Sequence, residues 1–224
     1  MSSSDHGVQR RRLSPDQRRA ELIGVGIEQF TTSTYDDVRM DEVARAASVS
    51  RALLYRYFPD KRTLFIAVVD EVSDRMLEKT AAGIDPMATP FQQARAAVLG
   101  YLEAYEQYPT VARAIFSDTV ASDPRMVERD HAERQQLSSI VVRQIESING
   151  RRLDPPDDRR LSMVATAWMG FIEQAIHDWV HDPVLDRAVI ADTCADVLLD
   201  AVVRIPGISD SAKRTMIARD VEPR

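Results

Sequence analysis

The sequence predicts an all-α fold: three short N-terminal helices built around a helix-turn-helix, a long connector helix, and a larger helical body. Apolar residues recur at three- and four-residue spacing along most of the chain, the period of a helix with one buried face. Strand-like alternation between turn residues is absent, and only 8 of the 224 residues are glycine. Pro-containing breaks at Pro59, Asp85-Pro86, Pro155-Pro156 and Asp182-Pro183 punctuate the helical runs.

Residues 1–13 read as a flexible basic arm, with Ser2-Ser3-Ser4 and the triplet Arg10-Arg11-Arg12 and no apolar run of an export signal. Ser14 is a good N-cap and Pro15 suits the first helical position, so a helix starts there and runs to Thr32. Its apolar stripe is Leu22, Ile23, Gly26, Ile27 and Phe30. Met40 to Ala47 forms a short amphipathic helix, with Val43 and Ala44 on one side and Asp41, Glu42 and Arg45 on the other. After a break at Ser48-Val49-Ser50, a second short helix runs from Arg51 to about Phe58 and stops at Pro59. Asp60 caps a connector over 60–82, apolar at Leu64, Phe65, Val68, Val69, Val72 and Met76, which ends at Gly83-Ile84-Asp85-Pro86. Further helices are expected over 91–107, 109–117, 124–149, 158–181 and 184–205, with a weak one after Pro206-Gly207. The domain division follows: 14–62 as a small head, 60–82 as connector, 83–224 as the body.

Composition bounds the function. No stretch approaches the roughly 20 apolar residues of a membrane span, so no membrane role is expected. The single cysteine, Cys194, excludes an internal disulfide and fits a cytoplasmic protein. The net charge of −6 is unevenly spread: through Arg62 there are eleven Lys+Arg against nine Asp+Glu, and eighteen against twenty-six thereafter. An acidic body behind a basic head is compatible with nucleic acid, since charge beyond roughly 8 Å is screened at physiological salt. GxSxG, Walker, CxxC-pair and HExxH signatures are all missing, which argues against an enzyme.

Two short helices separated by three or four residues are a helix-turn-helix. Leu54 and Phe58, four apart, share the inward face of the second helix. Arg51, Ala52, Leu53, Tyr55, Arg56 and Tyr57 are left outward, a poor solvent face and a good groove face. The run FTTSTYDDVRMDEVARAASVSRALLYRYFPDKRTLF, Phe30 to Phe65, resembles the tetracycline-repressor (TetR) family of bacterial transcriptional regulators. Its most specific part is LYxYFxxKxxL, Leu54 to Leu64; the later three quarters match only in helix count and length. The family usually has glycine where this chain has Thr34, Ser48 and Ala52, and a hydroxyl residue where it has Val38-Arg39. A positive φ at Ser48 would strain it. Either Asp37 caps the first short helix, or its N–H groups meet a phosphate.

Resemblance and geometry together assign roles on double-stranded DNA. Arg51 is placed to read a guanine through O6 and N7, and Leu53 a thymine methyl, with Ala52 permitting close approach. Tyr55 and Arg56 can touch base or phosphate; packing on the first helix is the plainer reading of Tyr55 and Tyr57. Ser50, Tyr57 and Lys61 are expected to anchor phosphates, with Arg39 as a further anchor. Arg10 to Arg12 can enter a minor groove or trail along the backbone. A two-fold homodimer reading a palindromic operator is implied, with Trp168, Ile172, Ile176, Trp179, Leu185, Val189, Leu199 and Val202 as the expected interface and self-contained core as the alternative.

The resemblance also implies a pocket for a small-molecule effector, expected to be lipophilic or aromatic. Phe91, Tyr101, Leu102, Tyr105, Phe116, Met126, Met163, Met169 and Phe171 are its expected lining, each with plain core as the alternative. Glu173, His177 and His181 recur every four residues, a spacing that can hold a divalent metal. A cation at the helix end for His181 and an interfacial Glu173–His177 hydrogen bond explain them better, so no metal or cofactor is expected. The function that follows is a ligand-responsive regulator, a repressor above all. An activator of the same fold and a helical enzyme with an incidental helix-turn-helix are the alternatives.

Overall fold

The structure is a computed structural model that describes residues 13–111 and 123–219. All regular structure among them is helical, as expected: α1 (Pro15–Thr32), α2 (Met40–Ala46), α3 (Arg51–Tyr57), α4 (Lys61–Gly83), α5 (Pro90–Gln107), α6 (Pro124–Asn149), α7 (Asp157–His181), α8 (Arg187–Val202) and α9 (Asp210–Ile217). The basic arm lies outside the described residues. So does most of the helix expected over 109–117, of which 109–111 are helical.

The chain divides into two compact units between Glu71 and Val72, inside α4. The sequence places the head at 14–62 with 60–82 as connector; the division instead gives the first half of that helix to the head. The reason is burial. Leu64, Phe65, Ala67, Val68 and Val69 of α4 are all buried with Leu22, Ile23, Ile27 and Phe30 of α1 and with Val43, Leu54 and Phe58. Phe65 meets Phe30 and Tyr35 edge-on at ring-centroid distances of 4.9 and 5.0 Å. α1 approaches α4 closely because Gly26 has no side chain: a Cβ there would lie 2.8 Å from Val68 Cγ2.

Caps fix the boundaries. Ser14 and Gln17 form a reciprocal capping box at α1, and Thr89 with Gln92 repeats it at α5. Asp60 Oδ1 accepts from Thr63 N–H at 2.6 Å at the start of α4. α8 begins at Arg187, not at 184, because Asp186 is its cap and accepts from Ala188 N–H at 2.7 Å. Gly150 ends α6 with φ 76°, the left-handed region that glycine enters without cost.

The second unit is cored by α5, α7 and α8. Leu102, Leu161, Trp168, Ile176, Ala191, Cys194 and Val202 are buried together. Trp168 Nε1 donates to the Cys194 carbonyl at 2.7 Å, so its one polar atom is satisfied inside that core. α9 closes one end, with Ala212 and Met216 buried. Asn149 ties the same end, accepting from Ser209 N–H at 2.8 Å.

Candidate functional site

In the first unit, α2 and α3 are joined by a tight turn. Ser48 N–H donates to Arg45 O, and Val49 N–H to Ala44 O, both at 3.0 Å. This is a Schellman ending, which needs a left-handed residue at its centre. Ser48 supplies it with φ 53°, the only non-glycine positive φ among the described residues. The serine that stands where the resemblance implies a glycine therefore adopts the conformation that glycine favours.

Ser50 caps α3 by accepting from Leu53 N–H at 3.1 Å. Leu54 and Phe58 are fully buried, which sets the phase of the helix. Arg51, Ala52, Tyr55 and Arg56 are then exposed, while Leu53 and Tyr57 are half-buried. Tyr55 is 39% exposed, so it does not bury itself on α1. The Arg56 guanidinium lies 5.5 Å from the Tyr57 ring centroid.

Arg51 carries a partner the sequence does not nominate. Its Nε lies 2.9 Å from Asp41 Oδ1 of α2, with the two side chains 64% and 36% exposed. The closest approach of the carboxylate is to Nε rather than to the terminal fork, the part that matches guanine. Lys61 also differs from expectation. Its Nζ donates to the carbonyls of Tyr35 at 2.8 Å and Asp36 at 3.1 Å and lies 4.7 Å from the Tyr35 ring centroid. It fastens the start of α4 to the α1–α2 loop, with one ammonium proton left for a phosphate. Asp37 does not cap α2; it accepts from Thr34 Oγ1 at 2.6 Å. Arg39 is the N-cap residue without a side-chain bond, so the first N–H groups of α2 stay open beside an exposed guanidinium.

In the second unit, a cavity of about 250 Å³ opens among α4, α5, α6 and α7. Val72, Ser73 and Met76 of α4 form one wall, and Tyr101 and Tyr105 of α5 with the adjoining Tyr108 another. Arg129, Asp130, Glu133, Arg134 and Leu137 of α6 and Glu173 of α7 stand among the remaining described lining. The charges are paired. Tyr101 Oη donates to Glu133 at 3.0 Å, and Arg129 reaches Asp130 and Glu133 at 3.0 Å each. Arg134 engages Glu173 through both carboxylate oxygens. Burial holds the Tyr101 and Tyr105 phenols above the ordinary range, and the Glu133 carboxylate adds to this for both.

Of the expected lining, Tyr101 and Tyr105 border this cavity. Leu102, Met126 and Met169 are buried core, and Phe91 packs on the core with Arg219 over its ring. Met163 is 66% exposed, Phe171 is on the surface, and Phe116 lies outside the described residues. The polar lining is hard to see in the sequence because Arg129 and Glu133, four apart, look like any solvent-facing helix pair. The tyrosines at 101, 105 and 108 are the usable signal, three aromatic residues at the spacing of one helix face.

Trp168, Ile172, Ile176, Leu199 and Val202, expected at an interface, are buried within this chain. Trp179 is half-buried and donates to Leu185 O at 3.2 Å, while Leu185 and Val189 are exposed. The exposed apolar stripes are different ones: Met163, Ala167 and Phe171 on α7, and Val189, Thr193 and Val197 on α8, each at four-residue spacing. Phe171 and Thr193 line one shallow groove, so the two stripes adjoin. Glu173 turns to Arg134, and His177 and His181 stand ring to ring at 4.4 Å. No group of three metal-ligating side chains converges among the described residues.

A helix-turn-helix whose second helix exposes arginine and tyrosine, in a chain whose described residues form helices and no strand, is the arrangement of a DNA-binding transcriptional regulator. Residues 22–68 match the family described as bacterial regulatory proteins, tetR family. The HTH-type transcriptional activator FasR of Mycolicibacterium smegmatis is 24% identical over 185 residues, 83% of this chain and 81% of that protein. The same fold is found in a tetR-family regulator from Streptomyces coelicolor, with a TM-score of 0.67 and 23% identity over 91% of this chain and 90% of that one. It is found again in NalD, the secondary repressor of the MexAB-OprM multidrug efflux pump in Pseudomonas aeruginosa, at TM-score 0.53 and 17% identity over 84% and 97% of the two chains. The match over residues 22–68, with the likeness to named HTH-type regulators and to tetR-family folds, supports a tetR-family transcriptional regulator. No helix among its described residues is long and apolar enough to cross a membrane.

Proposed function

We propose that this regulator is a repressor that binds a palindromic operator as a homodimer and leaves it when a small molecule enters the cavity of the second unit. Arg51 reads base edges with its fork, flanked by Ala52, Leu53, Tyr55 and Arg56. Ser50, Tyr57, Lys61 and Arg39 meet phosphates. The observation that carries the reading is α4. The same helix buries Leu64, Phe65 and Val68 in the head and lines the cavity with Val72, Ser73 and Met76. A ligand that prefers one setting of α4 therefore biases the reading helices. Two heads must meet major grooves about 34 Å apart, so a small change in α4 is enough to spoil the fit. Coupling of about 1–3 kcal/mol is the usual scale for such a switch.

The test is a gel shift against the DNA upstream of the protein's own gene. A salt-sensitive shift that needs both half-sites and is lost in the Arg51→Ala, Tyr55→Ala double variant is expected. A shift indifferent to the palindrome or to those two residues rejects the reading. The relative named as an activator supports a second reading, in which the same DNA contacts raise transcription. A reporter in a deletion strain separates them: derepression marks a repressor, loss of signal an activator.

A further inference from the structure

The cavity's wall chemistry narrows the ligand. Resting on the proposal that this cavity holds the effector, we propose that it selects an organic cation: a compact aromatic or alicyclic body bearing a protonated amine. The body is accommodated by Val72, Met76, Ala104, Val111 and Leu137, which give the cavity its apolar walls. The head is selected by charge. The described lining carries three carboxylates, Asp130, Glu133 and Glu173, against two guanidinium groups, Arg129 and Arg134, an excess of one negative charge.

The arrangement of those charges matters as much as their sum. Both arginines are already committed to carboxylates, Arg129 to Asp130 and Glu133, Arg134 to both oxygens of Glu173. An anionic ligand would have to displace a carboxylate from its arginine and leave that carboxylate unpaired beside it, in a partly desolvated wall. A cation meets the opposite situation. It joins Glu133 or Glu173 without unpairing either arginine, and Tyr101, Tyr105 and Tyr108 stand in the same lining as aromatic groups that a cation favours. The two phenols next to Glu133 register the same field: burial, then the neighbouring carboxylates, oppose their ionisation, and of the nearby cations only Arg129 acts against that. A wholly apolar effector would leave this polar side of the cavity without a partner when water is displaced.

Three probes of one body and different heads test the assignment: 4-phenylbutylamine, 4-phenylbutanol and 4-phenylbutyrate, titrated into the full chain by calorimetry at pH 7. There the first is a cation and the last an anion. The amine is expected to bind at least about tenfold tighter than the alcohol or the acid. Glu133→Gln and Glu173→Gln should each erase most of that preference while leaving the alcohol's affinity in place, which also shows that the variants are folded. Binding of the acid or alcohol as tight as that of the amine overturns the proposal, and so does absence of amine binding at millimolar concentration. The operator shift is read with the same probes. If the amine binds with the expected preference but does not alter the shift, the cavity's selectivity stands and its role as effector site fails. If the acid or alcohol releases DNA and the amine does not, the effector site stands and the cation assignment fails.

Discussion

At the scale of single residues, the head places a serine where its backbone takes a conformation that glycine favours. Ser48 sits at φ 53° and closes the α2–α3 turn with two backbone hydrogen bonds. A side chain in that region costs about 1–2 kcal/mol, and glycine regains part of it while losing more freedom on folding. Ser48→Gly is therefore expected to raise stability by about 0.5–1 kcal/mol, read as a higher urea midpoint, with operator affinity unchanged. Lys61 makes the opposite case. Its ammonium is committed to two carbonyls of the α1–α2 loop. Lys61→Met keeps the stem and should lower stability by about 1–2 kcal/mol, the scale of charged hydrogen bonds in a half-exposed setting. The salt dependence of DNA binding distinguishes its two roles. If the ammonium also meets a phosphate, the same variant reduces the slope of log K against log salt by about one.

At the scale of helices, the head is legible in the sequence and the body only in outline. The α2–α3 pair is set by short-range signals: two inward residues four apart, a three-residue break, and a proline stop. Those lie close together along the chain, so the sequence contains them whole. The second unit depends on which face of each long helix turns inward. α7 and α8 both carry two apolar stripes, and the richer one, with Trp168, Ile172, Ile176, Leu199 and Val202, fills the chain's own core. The poorer stripe, Met163–Ala167–Phe171 beside Val189–Thr193–Val197, is what remains on the surface. Hydrophobic content alone does not separate a meeting face from the chain's own core, since burial inside one chain draws on the same residues. If this second stripe joins two copies, Val197→Glu should shift the molecule from dimer to monomer in sedimentation velocity without unfolding it. Val202→Glu, at a fully buried position, should instead abolish folding.

At the scale of the whole molecule, the tyrosine wall links stability to alkaline pH. Tyr101 and Tyr105 ionise less readily in the fold than in the unfolded chain, whose tyrosines titrate near 10. The folded form then binds more protons than the unfolded one above that pH, and stability falls as pH rises. The contribution is complete below about pH 10 and is lost as pH climbs from there through the folded values. The urea midpoint should hold between about pH 8 and 9.5 and drop beyond about 10, and the Tyr101→Phe, Tyr105→Phe double variant should lose less over the same interval. Cys194 behaves alike for a simpler reason: burial raises its thiol to about 11, so it should resist alkylation until the chain unfolds.

The close approach at Gly26 reaches beyond packing to what substitutions a lineage can accept. A methyl group there would meet Val68 at 2.8 Å and Leu64 at 3.3 Å, while one at Gly24, two residues earlier on the same helix, would meet nothing within 4 Å. In a saturation library of α1 selected for operator binding, the two glycines should have opposite fates. Gly24→Ala should survive and even gain about 0.5–1 kcal/mol from helix propensity, while every replacement of Gly26 should be depleted. A composition count treats these two residues as one kind, and selection would treat them as different kinds of position.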